Sequence, residues 1–101
     1  MHNQENYPSK ETKELLSAIL KLKNKNEAVK FFRDLLTIKE INDLTLRFKI
    51  AQLLYQRKYS YEKIAKKCQI STTTVTRVAH WLFKGMGGYK LILDRLTHHQ
   101  H

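Results

Sequence analysis

The 101-residue chain carries nineteen Lys and Arg against nine Asp and Glu, a formal net charge of +10. That length fits one domain with a modest core, and the cationic excess favours a polyanionic partner over an acidic one. No apolar run is long enough to span a bilayer, and the lone Cys68 excludes an intramolecular disulfide and points to a reducing, cytoplasmic setting.

The elements follow in chain order. Residues 1–7 are polar and expected to be loose. Pro8 and Ser9 announce a helix over 9–23, with Leu15, Leu16, Ile19, Leu20 and Leu22 on a broad apolar face. Asn24, Lys25 and Asn26 form a break, and Asn26 caps a second helix over 27–36 that buries Val29, Phe32, Leu35 and Leu36. Thr37 and Glu40 have the spacing of a capping box. It opens a long helix to about Arg57, with Leu44, Phe48, Ala51, Leu54 and Tyr55 at helical spacing.

Residues 60–84, SYEKIAKKCQISTTTVTRVAHWLFK, read as two short helices joined by a tight turn. This is the layout of a helix-turn-helix. Ala65 supplies the small residue where the helices cross, and Ile64, Ile70, Val75 and Val78 supply the apolar lock. Ser60 and Ser71 are placed to cap the two helices. Gln69 stands in the turn where glycine is common, which reshapes the turn or strains it modestly. Cys68 ends the first helix and is expected to be buried and inert. Gly85 suits a left-handed cap after the second helix. A last helix over 89–96 then carries Leu91, Ile92, Leu93 and Leu96, followed by a loose tail over 97–101. The coarse reading is all-α, one domain over 1–101, with six helices.

Lys63, Lys66, Lys67, Arg77 and Lys84 fall within the motif, and Arg57 and Lys58 precede it. Such cations neutralise phosphates and release counterions, which gives salt-dependent affinity without sequence information. The flanking helices have more apolar surface than a small monomer can bury, so a homodimer is expected. Two-fold symmetry would present two recognition helices roughly 34–36 Å apart to a pseudo-palindromic site.

Other constellations carry little. His98, His99 and His101 form a histidine-rich tail of low metal-binding promise. The glycines between 85 and 88 follow no strand and lack phosphate-loop spacing. No nucleophile–base–acid set appears, so neither catalysis nor a cofactor is expected.

From about Thr37 to Gly85 the chain resembles, without gaps, the Trp repressor family, and more closely its uncharacterised Trp-repressor-like branch. The landmarks are TIKEINDLTLRFKIAQLL, YSYEKIAKKCQI and STTTVTR. The resemblance implies six helices per subunit, an intertwined homodimer, and operator DNA binding controlled by a tryptophan corepressor. The two arginines that sandwich the corepressor ring in that family fall on Arg47 and Arg77, and a threonine near the ring falls on Thr37. The family's space-making glycine falls on Val78, and its amine-binding serine on Trp81. Added methyls in a packed site typically cost about 1–3 kcal/mol or exclude the guest. Tryptophan binding is therefore expected to be lost or altered, with Trp81 either offering its own indole to the pocket or packing at the dimer core. Whether any other small-molecule effector binds is left open. Arg47 has an alternative role in an ion pair with Glu40 or Asp43, and Arg77 in holding phosphate.

For DNA, the family's base-facing and phosphate-holding positions fall on Thr72, Thr73, Thr74 and Thr76. With the cations and the hydroxyl run, the expected contact set for double-stranded DNA is Lys63, Lys66, Lys67, Ser71, Thr72, Thr73, Thr74, Thr76 and Arg77. The family's base-reading arginine falls on Glu62, so the operator is expected to differ. The expected function is a sequence-specific, homodimeric transcriptional repressor. The alternative is a protein- or RNA-binding adaptor that kept the fold without operator reading.

Overall fold

A computed structural model of the chain describes residues 6–98. All six regular elements among these residues are helices: α1 (Lys10–Ile19), α2 (Lys25–Leu35), α3 (Ile38–Gln56), α4 (Tyr61–Cys68), α5 (Thr72–Lys84) and α6 (Gly88–His98). The chain divides into two compact units, Met1–Ile41 and Asn42–His101.

The first unit holds α1, α2 and the first turn of α3. Ser9 caps α1 by accepting from the Thr12 backbone N–H at 3.0 Å. The helix closes at Ile19, four residues before the expected end. Beyond Leu20 the backbone tightens into three-residue rings, Lys21 N–H to Ala18 and Leu22 N–H to Ile19, which satisfies the last carbonyls and stops the α-helix. The cap of α2 is Asn24, not Asn26. Asn24 Oδ1 accepts from Glu27 N–H at 2.9 Å, while Glu27 Oε1 accepts from Lys23 N–H at 2.9 Å. The helix start moves two residues toward the N-terminus because Glu27 lies three residues after Asn24 and so closes a reciprocal pair there. At α3 the capping box forms as expected, with Glu40 N–H donating to Thr37 Oγ1 and Thr37 N–H to Glu40 Oε1. No residue of α1 or α2 is buried, and Leu20 and Val29 are 83% and 62% exposed.

The second unit contains the core. Ile50, Ala51, Leu53 and Leu54 of α3 meet Ile64 and Ala65 of α4, Val75, Val78, Ala79 and Leu82 of α5, and Leu93 of α6. Ile50, Ile64 and Val75 are wholly shielded; full burial of such a side chain contributes about 1.5–3 kcal/mol. Arg57 stops α3 in the left-handed region at φ 59° and lays its guanidinium 5.1 Å from the Phe83 ring.

Two expectations near the end of the chain are corrected. Gly85 is extended at φ −83°, ψ −151°, so it is not a left-handed cap. Its role is close approach: a Cβ there would lie 2.4 Å from the Trp81 carbonyl oxygen. The positive φ falls on Gly87, at 91°. Residues 97 and 98 are helical, so α6 runs two residues past its expected end. Thr97 Oγ1 donates to the Leu93 carbonyl at 2.9 Å, and Tyr55 donates to Asp94 at 2.5 Å, which ties the C-terminal part of α6 to α3. Lys90 pairs with Asp94 at 2.8 Å. Hydrogen bonds from Lys90 and then Tyr55 hold the Asp94 carboxyl below the usual carboxylate range, and Asp94 in turn raises Lys90. His99 and His101 lie outside the described residues, and His98 is exposed at the end of α6.

Candidate nucleic-acid interface

The α4–turn–α5 segment is built from local chemistry. Ser60 accepts from Lys63 N–H at 3.1 Å and Ser71 from Thr74 N–H at 3.2 Å, so both helices start on the serines that the sequence marks. Between them Gln69 takes φ 59°, ψ 48°, the left-handed region. Two backbone bonds close this turn, Ile70 N–H to Ala65 O at 3.0 Å and Gln69 N–H to Lys66 O at 3.3 Å. These are the six-to-one and five-to-two bonds of a Schellman motif, and Ile70 packs on the core as the accompanying apolar contact. The glycine-like conformation is therefore kept without glycine, and the strain falls on Gln69.

Ala65, 6% exposed, lets the helices approach, and Val75 and Val78 point inward beside Ile64. Helical geometry then turns the opposite face of α5 to solvent. Ser71, Thr72, Thr73, Thr76 and Arg77 are exposed and Thr74 is half-buried. Thr74 Oγ1 lies 3.2 Å from Ser71 Oγ, and Thr76 Oγ1 donates to the Thr72 carbonyl at 3.0 Å. Lys63, Lys66 and Lys67 are exposed on α4, with Lys67 Nζ 5.0 Å from the Tyr59 ring centroid. Cys68, expected to be buried, is half-buried and packs against the core. The free N–H groups at the start of α5, the neighbouring hydroxyls and the cations suit a polyanionic backbone, and the threonines offer donors, acceptors and methyls to base edges.

Four of the five residues expected around a ligand pocket come together. Arg47, Arg77, Val78 and Trp81 line a cavity of about 540 Å³, with Thr74 and Tyr89 completing it. Val78 is 4% exposed and forms part of the packed core, whereas Trp81 is 59% exposed. The Trp81 ring meets His80 edge-to-face at 5.2 Å between centroids. Thr37 belongs to the first unit, and its hydroxyl is engaged in capping α3. Glu40 likewise spends a carboxylate oxygen on the Thr37 N–H. Tyr89 was missed from the sequence because its place depends on how the chain turns between α5 and α6. A second groove, about 510 Å³, runs where α4 meets the start of α5 and is lined by Glu62, Lys63, Lys66, Ile70 and Thr72 among others.

Among the described residues no helix is long and apolar enough to cross a membrane, and no group of three His, Cys, Asp or Glu side chains is placed to hold a metal ion.

Comparison with known proteins agrees with this architecture. Residues 10–97 match the model of the Trp repressor protein family. The uncharacterised protein YerC of Bacillus subtilis is 39% identical over 87 residues, covering 86% of this chain and 83% of YerC. Among solved structures, a TrpR-like protein from Eubacterium eligens superposes with a TM-score of 0.85 at 37% identity, covering 93% of this chain and 96% of that one. A candidate Trp repressor from Staphylococcus aureus gives 0.82 at 36% identity, covering 96% and 95%. The six-helix chain with its capped helix-turn-helix belongs to the Trp repressor family.

Proposed function

We propose that the protein is a homodimeric, sequence-specific DNA-binding regulator, acting as a repressor in the cytoplasm, in which tryptophan corepressor binding is lost or altered. The observation that carries this reading is the exposed start of α5, with Ser71, Thr72, Thr73 and Thr76 beside Arg77 and the cations Lys63, Lys66 and Lys67 of α4. The cations and the first-turn N–H groups hold phosphates, with Thr74 supporting Ser71 from within the turn, and the threonines face base edges.

Two further observations support the finer parts. Helices α1 and α2 bury no residue, yet each presents a leucine- or valine-bearing face, with Leu15, Leu16, Val29 and Leu35 all exposed. A second copy of the chain would cover these faces and set two copies of α5 about one DNA turn apart. The arginine-lined cavity carries Val78 and Trp81 at the two positions where the resemblance places a space-making glycine and an amine-binding serine, so both wall positions are larger here. Arg47 and Arg77 are then left without their guest.

Selection of bound sequences from random duplex DNA at fixed salt tests the reading. A pseudo-palindromic motif with half-sites about one helical turn apart is expected. Binding that is blind to sequence and only steeply salt-dependent would overturn it.

A further inference from the structure

Residues 60–84 hold five Lys and Arg but one carboxylate, Glu62. Glu62 lies in the first turn of α4, exposed, on the wall of the groove that also holds Thr72 of α5 and the cations Lys63 and Lys66. Lys66 is four residues on, the spacing at which Glu and Lys pair on a helix. Among the described residues, however, no hydrogen bond or ion pair engages the Glu62 carboxylate. An unpaired carboxylate on a face built to meet phosphates repels them unless it meets a donor instead. An ionised carboxylate is acceptor-only, so it discriminates among major-groove edges by seeking an amino group. Cytosine N4 is the partner that a single carboxylate suits best.

Resting on the DNA-reading function above, we propose that Glu62 is a specificity-determining residue that selects a cytosine in each half-site, next to the base steps met by Thr72 and Thr73. Lys63 and Lys66, on the same groove, hold the flanking phosphates and offset the repulsion. Glu62 thus lowers affinity for DNA in general while raising discrimination, which is how a repulsive element sharpens specificity.

The test repeats the duplex selection with the full-length wild type, Glu62→Ala and Glu62→Gln at one salt concentration. Because Glu62 is exposed and the cap of α4 is Ser60, both variants should retain the helical circular-dichroism spectrum. The wild-type motif should contain a cytosine preferred roughly ten-fold or more over other bases. In Glu62→Ala that position should approach equal use of the four bases while the rest of the motif persists, and binding to non-specific duplex should tighten. In Glu62→Gln the preference should move toward adenine, which an amide reads through N6 and N7. An unchanged motif in Glu62→Ala overturns the assignment and leaves the carboxylate as a favourable charge at a helix N-terminus only. So does loss of preference at a base other than cytosine. If the wild type selects no motif, the regulator reading itself falls, and the role of Glu62 falls with it.

Discussion

The turn between α4 and α5 allows a quantitative test of how strain is distributed in the motif. Gln69 sits at φ 59°, ψ 48°, where the Cβ of an L-residue crowds its own carbonyl; the penalty is about 1–2 kcal/mol. Glycine has no such penalty, but its freer unfolded chain costs about 0.5–1 kcal/mol. The Gln69 side chain is exposed and makes no hydrogen bond among the described residues, so its removal forfeits nothing else. Gln69→Gly should therefore stabilise the fold by about 0.5–1 kcal/mol. At roughly 4–8 °C per kcal/mol for a domain of this size, Tm rises by about 2–8 °C. Calorimetric scans at one fixed protein concentration would measure it. Gln69→Ala keeps the Cβ and should show no comparable gain, and Gln69→Val, branched at Cβ, should lose stability. A Gln69→Gly protein that melts below the wild type, or an alanine variant that gains as much as glycine, would refute the assignment of strain to the Cβ.

Two other outcomes are expected. The Asp94 carboxyl is held below its ordinary range by Lys90 and Tyr55, so its contribution is present above the unfolded carboxylate pKa and is lost as pH falls through the depressed folded one. Acid titration of the circular-dichroism signal should find wild type losing stability below about pH 4 more steeply than Asp94→Asn; parallel curves would show that the Tyr55–Asp94–Lys90 cluster carries no pH-dependent stability. Calorimetric titration with tryptophan should give no micromolar binding, because Val78 is packed into the core at the cavity wall; micromolar affinity would show that the valine yields to a guest.

How much of this was legible in the sequence follows the range of each interaction. Ser60, Ser71 and the Thr37–Glu40 box were readable because a cap and its partner lie three residues apart. The Asn24–Glu27 pair has that spacing too, but Asn26 competed with it as a cap. Ile64, Ala65, Val75 and Val78 were readable as core because the motif's periodicity leaves them one face. Gly85 was misread because glycine after a helix suggests a positive φ, whereas here a contact with the Trp81 carbonyl demands it. The Tyr55–Asp94 bond joins residues 39 apart and left no local signal. Tyr89 on the cavity wall depends likewise on how α6 returns to α5.

The unburied faces of α1 and α2 bear on how such a regulator would respond to its own abundance. Helices of ten and eleven residues are marginal in water unless an apolar face is covered. In a homodimer that covers them, folding of the N-terminal third and pairing of chains become one equilibrium, and apparent stability rises with concentration. Halving expression would then lower the DNA-competent population by more than half, because chains without a partner keep frayed, protease-accessible helices. Gene dosage would act as a control in its own right, set by the part of the molecule farthest in sequence from the helix proposed to read DNA.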